Sequence, residues 1–179
     1  MTKMIKTSVE TYPFIELSIA CSNVSIMEAF WEKMFGGKTI FRGRIMGKPY
    51  SRIIACGITL VFRENPHFKL PPGPGEEYSF NNHIGLRVKD LDSAISELEA
   101  RGAQFVLTPA KIKEWMDQKQ DDGREFMETD FIAPPLSAER IANGEYKIDV
   151  AIMVGPDNLW IELNQIQEPK DTGWFPSPW

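Results

Sequence analysis

His83-Ile84-Gly85-Leu86-Arg87-Val88-Lys89-Asp90-Leu91 is the stretch that decides the fold. From His83 to Val88, apolar residues alternate with others on a period of two, which predicts a half-buried strand. Asp90 follows at once and is a good helix cap. Leu91, Ile95 and Leu98 then recur at helical spacing, and Gly102 ends the helix. A strand therefore runs directly into a helix, and the chain makes the same transition a second time.

The other copy lies upstream. Phe14-Ile15-Glu16-Leu17-Ser18-Ile19-Ala20-Cys21 alternates with Ile15, Leu17 and Ile19 on one face, predicting a strand. Ser22 or Asn23 caps a helix starting near Val24, whose apolar face is Ile26, Met27, Phe30, Trp31 and Met34. Gly36-Gly37 closes it. Placing Phe14–Gly36 on Asn81–Gly102 sets Glu16 on His83, Asn23 on Asp90 and Val24 on Leu91. Three strands follow in the first half: Lys38 to Arg44, Tyr50 to Cys56 and Ile58 to Glu64, with Gly47 and Gly57 in the turns. The second half offers Gln104 to Leu107, Tyr146 to Val154 and Leu159 to Gln165. The closing strands also match: Gly57-Ile58-Thr59-Leu60-Val61-Phe62 lies against Asn158-Leu159-Trp160-Ile161-Glu162-Leu163, with Val61 opposite Glu162.

Two copies of one β–α–β–β–β unit result, and neither buries its sheet alone. The expected fold class is α+β, with two βαβββ modules whose curved mixed sheets form one cleft. The whole chain, 1–179, is read as a single domain. Its parts are module one at 14–65, a linker at 66–80 marked by Pro71-Pro72-Gly73-Pro74-Gly75, module two at 81–167 and a tail at 168–179. Residues 108–145 form an insertion in module two. Within it, Lys111 to Lys119 reads as a short helix, Glu125 to Ile132 as extended chain and Ser137 to Ile141 as another helical turn. An insertion of this length beside a cleft reads as a lid, a specificity loop or a dimer contact. The apolar tail Trp174-Phe175-Pro176-Ser177-Pro178-Trp179 is expected to dock on the domain or on a partner subunit.

Composition narrows the function. With 42% hydrophobic residues among 179, the chain can bury a core without staples. A net charge of -5 argues against a nucleic-acid partner, because phosphate neutralisation needs the opposite sign. No apolar run reaches the length of a membrane span, so no membrane partner is expected. Cys21 and Cys56 lie in apolar runs outside any zinc pattern and are expected to be buried thiols, suiting a reducing cytoplasm.

The repeat, the run His83 to Leu91 and the closing Gly155-Pro156-Asp157-Asn158-Leu159-Trp160-Ile161-Glu162-Leu163 resemble the vicinal oxygen chelate superfamily, over residues 14–107 and 146–165. That group includes glyoxalase I, methylmalonyl-CoA epimerase, extradiol dioxygenases and the bleomycin- and fosfomycin-resistance proteins. The resemblance implies a divalent metal ion held by the first and last strands of each module. Its four ligand places fall on Glu16, Val61, His83 and Glu162. Val61 cannot ligate, which leaves Glu16, His83 and Glu162 as metal ligands, with Glu16 and Glu162 also expected to be catalytic. One imidazole with carboxylates suits Zn, Mn, Ni, Co or Fe(II).

The residues themselves support and compete with that assignment. A carboxylate among apolar strand neighbours must be paired, protonated or metal-bound if buried, and both Glu16 and Glu162 are so placed. Glu16 is alternatively a solvent-facing residue or the partner of Arg44, Arg52 or Arg63. His83 is alternatively a core or edge histidine, and Glu162 a marker of the fold without its metal. His67, in the linker, reads as a surface residue. Strand parity adds Ser18, Arg63, Arg87 and Trp160 as substrate-binding residues, with Thr59 and Asn164 on the same faces. An arginine there would hold a carboxylate or phosphate in a bidentate pair.

The resulting expectation is a glyoxalase-like metalloenzyme acting on a small oxygenated substrate, with isomerase or lyase chemistry through a metal-bound enolate. A homodimer is expected. The alternative is a metal-free small-molecule-binding protein of the bleomycin-resistance type, in which Trp160, Phe62 and Trp115 would line the cleft. An extradiol-type dioxygenase is the third reading, weakened by the single histidine at a ligand place.

Overall fold

The computed structural model describes residues 16–71, 83–119, 143–145 and 147–167. The chain divides into two compact units, Met1–Phe68 and Lys69–Trp179.

The first unit holds β1 (Leu17–Cys21), α1 (Val24–Phe35), β2 (Lys38–Ile45), β3 (Lys48–Ala55) and β4 (Ile58–Glu64). Its sheet runs in the order β1-β4-β3-β2, with β1 parallel to β4 and the remaining pairs antiparallel. The second unit holds β5 (His83–Arg87), α2 (Leu91–Ala100), β6 (Phe105–Leu107), α3 (Pro109–Lys119), β7 (Lys147–Val154) and β8 (Trp160–Gln167). Its sheet order is β5-β8-β7-β6, again with only the first and last strands parallel. The two sheets share one connectivity, as the internal repeat requires.

Local chemistry explains the element ends. Asn23, rather than Ser22, caps α1: its Oδ1 accepts from Ile26 N–H at 3.2 Å. Asp90 does the same for α2, accepting from Ser93 N–H at 2.9 Å. The β2–β3 and β3–β4 hairpins turn through Met46-Gly47 and Cys56-Gly57, all four residues at positive φ. This is the two-residue turn whose twist matches that of the flanking strands, and glycine takes its second place without strain. Cys56 is therefore exposed in a turn, which corrects its reading as a buried strand residue, while Cys21 is 0% exposed. An X-Gly pair between two strands outweighs the apolar neighbours of Cys56.

Each sheet has a helix-covered face and an open face. In the first unit α1 packs on β3 and β4. Val24, Met27, Trp31 and Met34 bury against Ile53, Ala55, Leu60 and Phe62, and the Trp31 and Phe62 rings lie 6.3 Å apart. Phe62 is 0% exposed beneath α1, so it cannot line a ligand cleft as the metal-free reading expected. Strand parity explains the correction: Val61 and Phe62 face opposite ways. Glu28 is the acid buried with this core, and it accepts from Arg42 Nε with both oxygens, at 3.0 and 3.1 Å. That bond holds the Arg42 guanidinium above even its ordinary range. In the second unit, α2 lies on β7 and β8 over Ile84, Leu86, Ala151, Met153, Ile161 and Leu163.

The helix read at Lys111 to Lys119 is present as α3, starting two residues earlier at Pro109. The extended stretch at 125–132, the helical turn at 137–141, the Pro/Gly run from Pro72 and the tail 168–179 lie outside the described residues.

Trp31 anchors the first unit's core. Trp31→Ala is expected to cost about 3–5 kcal/mol of stability, read as a lowered urea midpoint at unchanged slope. Trp31→Phe should cost less, because it also removes an indole N–H that is buried with no hydrogen-bond partner among the described residues.

Candidate functional site

Strand register builds the open face of each sheet. In the first unit, Ser18 and Arg52 both lie beside Val61, and Ala20 and Tyr50 both lie beside Arg63. Glu16, two residues before Ser18, shares that face. Arg52 reaches diagonally past Val61 and donates from Nη2 to Glu16 Oε2 at 2.5 Å. Both side chains are partly exposed, 42% for Arg52 and 31% for Glu16. Of the arginines considered for Glu16, Arg52 is the partner. Arg44 instead donates to the Gly47 carbonyl at 2.9 Å. Val61 fills the remaining position with a buried apolar side chain.

The second unit answers position for position. On its open face, Gly85 and Ile152 flank Glu162 on β8, while His83 pairs with Trp160 and Arg87 with Asn164. Glu162 Oε2 lies 3.7 Å from His83 Nε2. Its other oxygen accepts from Asn164 Nδ2 at 2.8 Å. Glu162 is 18% exposed against 35% for His83, so the acid sits deeper and the imidazole at the rim. Gly85 stands between His83 and Arg87 on β5, directly beside Glu162. A Cβ there would make an ordinary van der Waals contact with the Asn164 amide, 3.6 Å away. Arg87 donates from Nη2 to the Ile166 carbonyl at 3.3 Å, which turns its guanidinium along β8. Trp160 is half-buried on the same face.

Two four-stranded mixed sheets, each with its first and last strands parallel and a helix on one face, match known structures. A fosfomycin resistance protein, FosX, from Listeria monocytogenes is similar over 91% of this chain and 98% of its own, with a TM-score of 0.55 at 12% identity. This is the glyoxalase/bleomycin-resistance-like fold. A glyoxalase family protein from Enterococcus faecalis shares the same fold over 85% of this chain and 96% of its own, with a TM-score of 0.55 at 14% identity. A mutant of the Listeria FosX was crystallised with Mn(II) and 1S,2S-dihydroxypropylphosphonic acid; it matches over 90% of this chain and 97% of its own, with a TM-score of 0.50 at 11% identity. No family model and no curated protein matches the chain in sequence. At these identities the likeness establishes the fold, and the chemistry must come from this chain's own residues.

Those residues offer a pair of metal donors. Two ligand atoms each about 2.1 Å from one ion lie roughly 3.4 Å apart at a tetrahedral angle. The 3.7 Å between His83 Nε2 and Glu162 Oε2 is within a few tenths of an ångström of that spacing. Asn164 holds the second carboxylate oxygen in the way outer partners orient ligands. Glu16 stands differently, since Arg52 already neutralises it. Among the described residues, no three His, Cys, Asp or Glu side chains gather around one point in either unit.

Two residues carry more of this geometry than the sequence reading gave them. Arg52 was one of several partners weighed for Glu16, and the register of β3 on β4 singles it out by placing it beside Val61. Asn164 shares the face of Glu162 two residues on, and its bond to that acid gives it a role.

Asn164→Ala removes the bond that fixes Glu162. If the His83–Glu162 pair holds a metal ion, this variant is expected to weaken Mn(II) binding about 10- to 100-fold, measured by calorimetric titration, with little change in melting temperature.

Proposed function

We propose that this chain is a glyoxalase-like metalloprotein acting on a small oxygenated substrate, with isomerase or lyase chemistry. The observation that carries the reading is the His83–Glu162 pair on the open face of the second sheet. An imidazole and a carboxylate with coordinated orientation are a donor set for Mn, Zn, Ni, Co or Fe(II). When bound, such an ion acts as a Lewis acid on a substrate oxygen. The Mn(II) in crystals of the structurally similar FosX supports a divalent ion over other cofactors.

The chain's own residues supply the rest. His83 and Glu162 would hold the ion. Glu162, the acid–base group implied by the family resemblance, would move a proton only through Oε2, the oxygen that faces His83, because Asn164 already donates to Oε1. Trp160 and Arg87 share its face, and they would orient the substrate's apolar and anionic parts. In the first unit, Ser18 and Arg63 stand on the open face with Glu16 and serve the same purpose. Glu16, the further ligand and acid–base group implied by the family resemblance, would serve only on leaving Arg52. A homodimer and a cytoplasmic setting complete the proposal.

A second reading has its own support. Arg52 neutralises Glu16 without any metal, and Val61 offers no donor. Those features suit a metal-free small-molecule-binding protein of the bleomycin-resistance type.

Titrating Mn(II) into the purified, untagged chain while following the free-ion EPR signal separates the two. The metalloprotein reading expects saturable binding that His83→Ala and Glu162→Gln each weaken at least about tenfold. Failure of the wild-type chain to bind Mn(II) or Zn(II) would select the metal-free reading. On the reading that Glu16 is a further ligand, Arg52→Gln should tighten Mn(II) binding, because it releases that carboxylate from its ion pair.

A further inference from the structure

The first unit carries a pocket of which the proposed metalloprotein reading uses only one lining residue, Arg63. It has a volume of about 280 Å³ and lies where the β2–β3 hairpin meets the ends of β1 and β4. Ile45, Met46 and Pro49 give it apolar walls, and Lys48, Tyr50 and Arg63 give it a polar side. Register explains the grouping. Arg63 lies directly beside Tyr50, and Lys48 is two residues along the same face of β3. Diagonal neighbours of this kind are within reach of each other's long side chains.

Three observations point to a ligand. First, Lys48 and Arg63 have no hydrogen-bond or ion-pair partner among the described residues. Second, Tyr50 is a fixed wall. Its ring lies 5.4 Å from that of Phe41, and Gly43 makes the approach possible, since a Cβ there would come within 2.9 Å of both rings. Third, Asn65, also at the rim, has its Oδ1 occupied by the His67 N–H at 2.9 Å, which leaves its NH₂ as a donor.

We infer that this pocket binds a small apolar monocarboxylate, with the carboxylate between Lys48 and Arg63 and the hydrocarbon against Tyr50, Ile45 and Met46. Charge selects the class. Lys48 and Arg63 are opposed by one rim acid, Glu64, so the surplus is a single positive charge, which a monoanion cancels and a phosphate dianion overshoots. Size selects the scale. The depression is open to solvent and its volume is just below the roughly 300–1,000 Å³ of pockets for drug-sized ligands, so it suits a small ligand. Benzoate or hexanoate has the right number of heavy atoms. The site belongs to the first unit alone and does not depend on a metal.

The test is an NMR titration of the full-length protein with benzoate, with benzyl alcohol as the neutral match. Benzoate is expected to bind saturably and shift the amides of residues 45–50 and 63–65, while benzyl alcohol binds about three- to tenfold more weakly. Lys48→Gln and Tyr50→Ala should each weaken benzoate by a similar factor. Lys48 is exposed, so its variant should keep the wild-type melting temperature and its Mn(II) titration. Equal affinity for benzoate and benzyl alcohol, or benzoate binding untouched by Lys48→Gln, would overturn the inference. So would saturation that shifts only amides elsewhere.

Discussion

The parallel pairing of first and last strands is the constraint on which both sheets depend. A strand followed by a helix can return parallel only through a crossover connection, and here the crossover includes the helix and two further strands. The pairing joins residues far apart in sequence. It puts Ser18 beside Val61 in one unit and Gly85 beside Glu162 in the other. Because side chains alternate, one register decides which residues share the open face. A slip of one residue would bury Glu162 under α2 and bring Leu163 out. The apolar partners Ile84, Leu86, Ile161 and Leu163 prevent that slip by filling the helix-covered side. The core therefore fixes the site.

The same scaffold treats its two acids in opposite ways. Glu16, one residue before β1, and Glu162, on β8, are both partly buried, and each has a polar partner. In the first unit the partner is a guanidinium, supplied by Arg52 from the third strand. In the second unit β7 offers Ile152 at the matching place, and the acid has an imidazole and an amide instead. A guanidinium is a permanent cation held on the protein, whereas an imidazole is a cation only when protonated and, when neutral, carries a ring-nitrogen lone pair of the kind metal ions take. One duplicated unit has thus produced one self-neutralised acid and one suited to a ligand.

Much of this was legible in the sequence because it rests on local patterns. The period-two runs, the caps Asn23 and Asp90 and the X-Gly turns each depend on a few adjacent residues, and they set element order and parity. Repeat alignment then carried Glu16 onto His83 and Val61 onto Glu162 without any coordinates. What escaped depends on neighbours from other strands. Nothing near Glu16 in sequence says that Arg52, rather than Arg44 or Arg63, will meet it. Phe62 looked available for a ligand because it is aromatic and near Val61, yet parity places it beneath α1. Cys56 looked buried among apolar residues, yet the turn required at Cys56-Gly57 exposes it. The pocket beside Lys48 and Tyr50 was missed for the same reason, since a hairpin turn, two strand ends and the Phe41 ring must come together before it exists.

The central claim is that the strand register of the second unit makes His83 and Glu162 a ligand pair. A crystal of the protein soaked in Mn(II) and measured above the manganese absorption edge tests this most directly. An anomalous peak is expected within bonding distance of both His83 Nε2 and Glu162 Oε2, with Asn164 still donating to the other carboxylate oxygen. A map with no peak there, or with His83 and Glu162 turned apart, would contradict it.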